Sequence, residues 1–129
     1  MHWHIYLYLH YWFIYTKNKH FSVDNNKLLF YFDDLKTIKE NSKQENIKKL
    51  NNQLNSIAIK LAKKGIKLIV LISPNKYDIY YDQIIEKEKY PKPRFFEVFK
   101  SLTKKYDFVD SEELLKNSIK NQRDIYFYD

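Results

Sequence analysis

Four histidines supply every imidazole in the chain: His2, His4, His10 and His20. On an extended strand His2, His4 and His10 share one face, a spacing that could gather a metal. No carboxylate pattern accompanies them, however, and ordinary surface or interface histidines are the plainer reading. A serine triad needs an imidazole beside its hydroxyl. Ser73 follows the apolar run at 66–72, at the carboxyl end of an expected strand, where α/β sheets place their ligands. The histidines lie far upstream of that pattern, so Ser73 reads first as a turn residue before Pro74. Asp33-Asp34 and Glu112-Glu113 look like loop and helix-start charges. The tyrosines at 77–81 and 126–128 could stack on bases or sugars, although core and rim packing is the commoner use of such rings.

Two composition facts exclude whole classes of chemistry. Cysteine is absent, which removes disulfides, thiolate zinc sites and a Cys nucleophile. Glycine occurs once, at Gly65. A phosphate-cradling P-loop needs two glycines, a dinucleotide fingerprint three, and a Gly-x-Ser-x-Gly elbow two. No cofactor and no metal are therefore expected.

The length of 129 residues suits one domain, and 44% apolar residues can fill a core. The joint excess of Lys, Asn, Ile, Tyr and Phe is what an AT-rich coding sequence produces, so Lys and Tyr counts alone carry no functional weight. The net charge of +7 invites a nucleic-acid reading, but arginine, with its bidentate fork for phosphate, stands only at Arg94 and Arg123. Nucleic acid is not the favoured partner.

The aromatic stretch at 3–15 (WHIYLYLHYWFIY) is too short to span a bilayer, which takes about 20 apolar residues. It lacks the features of a signal peptide. Residues 1–24 read as a strand or as the remnant of an anchor. LLFYF at 28–32 suits a strand, and 33–41 a charged connection with or without a helical turn. Residues 42–64 are the clearest helix. Ser42 and Glu45 have capping-box spacing, Ile47, Leu50, Leu54, Ile57 and Leu61 define one face, and Gly65 supplies a left-handed end. The near-continuous apolar run IKLIVLI at 66–72 predicts a central parallel strand buried on both faces. A short helix at 78–88 carries Ile84 and Ile85. Another begins at Pro93 and buries Phe95, Phe96, Phe99 and Leu102. A strand follows at 106–109. Asp110 and Glu113 open a last helix, with Leu114, Leu115 and Ile119 inward, and 125–128 is a final strand. The order predicts an α/β fold, a parallel central sheet with flanking helices.

The order of these pieces resembles the AlgX/AlgJ-like family of SGNH-hydrolase-fold proteins. The segment LAKKGIKLIVLISPNKYDIYYDQI at 61–84 carries the family's helix, its Gly65-Ile66 junction, a buried strand, Pro74-Asn75-Lys76 and Tyr80. NNKLLFYFDD at 25–34 is similar to its Trp-Leu-Phe-Tyr segment, with Leu28 where Trp is usual. YDFVDSEELLKN at 106–117 is similar to its Val-Asp strand and helix, and DIYFYD at 124–129 to the lead-in of its Asp-Thr-His-Trp motif. The resemblance implies a partial SGNH or flavodoxin-like three-layer sandwich over 25–129. It implies an ancestral Ser-His-Asp acetyl transfer onto extracytoplasmic polysaccharide, with polysaccharide or acyl donor as partner in the full-length family and a periplasmic or membrane-associated location. It makes Asp129 the candidate triad acid and Lys76 and Tyr80 a binding rim. No Thr-His-Trp and no later Ser follow, so 25–129 is expected to be an incomplete, inactive domain that self-associates through an uncovered strand at 126–128. Two other readings compete: a basic module binding nucleic acid or acidic glycans, and a membrane-interface protein using 3–15.

Overall fold

The computed structural model describes residues 11–15 and 27–121. The final strand expected at 125–128, Asp129, the four histidines and most of the 3–15 stretch lie outside the described residues.

Within the aromatic stretch, Tyr11–Tyr15 is a strand, β1, paired antiparallel with β2, Lys27–Tyr31, so that Phe13 faces Leu29. Helix α1, Phe32–Asn41, follows directly, where a charged connection was expected. Helix α2, Gln44–Ala62, leads to a short strand β3, Ile69–Leu71. Helix α3, Lys76–Tyr80, runs into two 3₁₀ turns, Tyr81–Gln83 and Lys87–Lys89, in place of one helix over 78–88. Ile84 is buried between those turns while Ile85 is exposed. Helix α4, Phe95–Ser101, crosses to β4, Asp107–Val109, which lies parallel to β3 with Leu71 opposite Val109. Helix α5, Ser111–Lys120, closes the described chain. The fold is mixed α/β around a small parallel sheet, as the alternating pattern predicts.

Local signals explain the ends of these elements. Gly65 has φ +72°, and the amide of Ile66 donates to the Leu61 carbonyl at 3.0 Å, the left-handed stop that its lone glycine announces. The Asp110 carboxylate accepts from the Glu113 amide at 3.0 Å and starts α5. At the end of α4 the Lys104 ammonium donates to the carbonyls of Phe99 (2.6 Å) and Leu102 (2.8 Å), and it lies 4.9 Å from the Phe99 ring centre. It thus meets the orphan acceptors of a helix terminus. Its burial holds its pKa below the ordinary lysine value.

Two apolar clusters hold the fold. One joins Phe30 and Ile38 to Tyr77, Ile79, Tyr80, Ile84 and Ile119. The other joins Ile47 and Ala58 of α2 to Phe99 and Tyr106, with Leu68, Val70, Ile72 and Phe108 packed against it. A polar seam backs the second cluster. Buried Asn51 donates to the Thr103 carbonyl (3.0 Å) and accepts from the Tyr106 hydroxyl (2.7 Å), and Asn55 accepts from the Lys105 amide (2.7 Å).

Four local expectations are corrected. The run at 66–72 is not buried on both faces: Ile69 and Leu71 are 61% and 63% exposed. Helices α2 and α4 cover only the face presented by Leu68, Val70 and Ile72, and alternate residues of a strand point the other way. Ser42 does not cap α2. The N-cap is Lys43 with no side-chain bond, and the Ser42 hydroxyl instead accepts from the Arg94 amide at 3.1 Å. With α1 running to Asn41, Ser42 falls in a tight link between helices and serves a distant partner. Ile57 is 48% exposed, because the buried stripe of α2 runs through Ile47, Asn51 and Ala58. Leu114 is likewise exposed, leaving Leu115 and Ile119 to face inward.

Candidate functional site

A cleft of about 390 Å³ opens at the carboxyl end of β3. Its apolar floor is Ile38, Ile47, Leu50, Ile72, Phe95 and Phe96, and its polar margin is Glu40, Asn41, Ser42, Asn46, Ser73 and Asn75, with the buried Asp78 also lining it. Three parts of the chain build it. The α1–α2 link contributes one wall. The turn after β3 contributes Ser73 and Asn75, and the start of α4 supplies the aromatic base. This is the position at which open α/β sheets bind ligands, beyond the carboxyl ends of the strands.

The walls are held by short polar contacts. Asn75 caps α3 through its side chain, which accepts from the Asp78 amide at 2.8 Å, while the Asp78 carboxylate accepts from the Asn75 amide at 2.9 Å. This reciprocal box fixes the turn that presents Ser73. The Asn75-x-x-Asp78 spacing carries the signal for it in the sequence, beside the Ser42/Glu45 and Asp110/Glu113 spacings. Opposite, the Asn46 amide donates to the Glu40 carboxylate at 3.1 Å, and Glu40 pairs with Lys43 at 2.6 Å. Those hydrogen bonds hold the Glu40 carboxyl below its ordinary pKa. The link residues Asn41, Ser42 and Asn46 were not foreseen as lining residues. No local pattern distinguishes them from any polar helix connection.

The residues expected at the site are distributed as follows. Ser73 is exposed on the cleft margin. Lys76, half-buried in the first turn of α3, lies 6.0 Å from the centre of the Phe30 ring. Tyr80 is 1% exposed and packs in the first apolar cluster, beneath α3. Asp129 lies outside the described residues. Among the described residues no three His, Asp or Glu side chains gather as metal ligands. Tyr77, fully buried, donates to the Pro91 carbonyl at 2.8 Å. Burial, reinforced by Tyr81, Tyr90 and Asp78, pushes its hydroxyl pKa well above the ordinary tyrosine value.

The arrangement can receive a ligand with both apolar and hydroxyl-bearing surface, against an aromatic base and an amide-rich margin. No curated protein and no solved structure matches the chain. A family model described as "SGNH hydrolase-like domain, acetyltransferase AlgX" matches residues 25–129, from the start of the segment leading into β2 through every later element. With the α/β order, the parallel β3–β4 pair and the cleft at its carboxyl end, this places the chain in the AlgX family of SGNH hydrolase-like acetyltransferase domains.

Proposed function

We propose that residues 25–129 belong to a domain that transfers acetyl groups onto an extracytoplasmic polysaccharide, and that this region supplies its scaffold and the cleft at the carboxyl end of β3. The observation that carries the reading is the family match over 25–129, joined to a cleft at the carboxyl end of β3. In a Ser-His-Asp mechanism the serine attacks the donor's acyl carbonyl as the imidazole takes its proton, the imidazolium returns that proton to the departing group of the donor, and an acceptor hydroxyl then displaces the serine oxygen to take the acyl group and regenerate the free serine. Residues 25–129 contain no histidine. The general base is therefore not supplied by the matched region, and these residues alone do not perform the transfer. In this reading Asp129 is the triad acid and Lys76 stands on the rim. Tyr80 supports the rim from below through packing. The periplasm is the proposed location.

The test is direct. The purified chain is expected to hydrolyse p-nitrophenyl acetate no faster than a denatured control, and Ser73→Ala is expected to change nothing. A robust rate that Ser73→Ala abolishes would make Ser73 a nucleophile and overturn the assignment of a scaffold role.

A further inference from the structure

The charge of this protein is not spread over its surface. Residues 43–67 hold seven lysines and one carboxylate, Glu45, and so carry six of the seven net positive charges of the chain. Compositional drift toward lysine would raise it everywhere. It does not account for a helix nearly stripped of acids while fifteen of the sixteen carboxylates lie elsewhere. Lys43 and Lys67 are paired, with Glu40 and Asp107. Lys48, Lys49, Lys60, Lys63 and Lys64 are exposed, and no carboxylate among the described residues lies within ion-pair distance of them. A merely solvated helix face mixes its signs, as the Glu112–Lys116 pair at 2.7 Å does on α5.

Helical geometry gathers these charges. At roughly 100° per residue, Lys49, Lys60 and Lys63 fall within about 60° of one another, on the side of α2 opposite buried Ile47 and Ala58. Ile57 and Ile59, each 48% exposed, flank the strip on its two sides, and Ile66, 51% exposed, follows just past the helix end. Lys49 and Lys63 stand about 21 Å apart along the helix axis, Glu45 shares their face at its start, and the aliphatic side chains flank the end that carries Lys60 and Lys63.

We propose that the outer face of α2 docks on an anionic lipid bilayer, with the helix axis in the plane of the surface. Lysines are compact point charges suited to a diffuse field of headgroups, whereas the planar fork that selects individual phosphates is absent from this helix. The half-exposed isoleucines favour a bilayer over a soluble polyanion, because the headgroup boundary buries apolar side chains and a dissolved chain leaves them in water. No described helix is long and apolar enough to cross a membrane, so the contact is interfacial. The lysine-rich end of α2 sits at the amino end of β3, beside Gly65 and Lys67, and the cleft opens at the other end of that strand.

The experiment is co-sedimentation of the full chain with phosphatidylcholine vesicles, with and without phosphatidylglycerol. Binding is expected only to the anionic vesicles and is expected to fall as salt is added. At about fivefold per lysine near such a surface, Lys49→Ser/Lys60→Ser/Lys63→Ser is expected to weaken it about a hundredfold. Lys89→Ser/Lys92→Ser/Lys120→Ser, with the same net charge, is expected to leave it nearly unchanged, and matched thermal melts check that both variants fold. Ile59→Ser/Ile66→Ser is expected to weaken binding without altering its salt dependence. Equal binding to both vesicle types would overturn the proposal, as would equal loss in the two lysine variants. So would unchanged binding of the isoleucine variant together with full competition by heparin, which would assign the strip to soluble polyanions instead.

Discussion

Replacing Asn51 by Ala is expected to destabilise the protein well beyond the loss of one surface amide. Asn51 is 4% exposed, and its side chain answers two groups at once: it donates to the Thr103 carbonyl at 3.0 Å and accepts from the Tyr106 hydroxyl at 2.7 Å. The Thr103 carbonyl keeps a second donor, Asn55 at 3.1 Å, so its loss is partial. The Tyr106 hydroxyl, on a buried ring, is left without its acceptor, and a buried polar group so orphaned costs about 1–3 kcal/mol. A total near 2 kcal/mol follows, which is a midpoint shift of roughly 6–12 °C for a domain of this size. Tyr106→Phe should cost less, about 1 kcal/mol, since it removes one hydroxyl and leaves one acceptor unmet. The decisive variant is the double one. If the two side chains serve each other, Asn51→Ala/Tyr106→Phe should fall short of the sum of the single effects by about 1 kcal/mol, read from urea unfolding of all four proteins. Additivity to within about 0.5 kcal/mol would show that the pair is not energetically joined. The seam tying α2 to the segment before β4 would then rest on the bonds of Asn51 and Asn55 to the Thr103 carbonyl and of Asn55 to the Lys105 amide.

Two further outcomes are expected. Asn75→Ala should cost about 1 kcal/mol by removing the cap of α3, and adding Asp78→Ala should cost further, since it strips the Asn75 amide of its own acceptor, as thermal melts of the single and double variants would show. Tyr77 has a folded pKa raised above its unfolded value near 10, so the stability it contributes is present below about pH 10 and is lost as the pH rises toward the folded value. Alkaline unfolding monitored by circular dichroism should therefore show a steep limb above pH 10 that Tyr77→Phe flattens, and an unchanged limb in that variant would refute the assignment.

Much of the local order was written in neighbouring residues. The lone glycine marks the end of α2 because only a residue without Cβ takes φ +72° at little cost. Asp110 announces α5 because a carboxylate two or three residues ahead of free amides satisfies them wherever the chain sits. Alternation of helix and apolar run made the parallel β3–β4 pair foreseeable, and the collinear motifs from 25 onward pointed to the family that residues 25–129 match. Such signals act over a few residues and survive any packing. Coverage is different, because it depends on which elements arrive from far along the chain. An apolar run at 66–72 records that burial is available to it, yet only the placement of α2 and α4 decided that Val70 is covered while Ile69 and Leu71 are left exposed. The same holds for Ser42, whose hydroxyl was claimed by an amide 52 positions away, and for Ile57, which lies beside the stripe that α2 buries rather than on it. The end of the 66–72 run was legible as a place for a ligand, but the rest of the cleft belongs to this second kind of information. Its margin joins Asn41 and Asn46 to Ser73 and Asn75, and only the packing of three separated segments brings those polar groups to one opening at the end of β3.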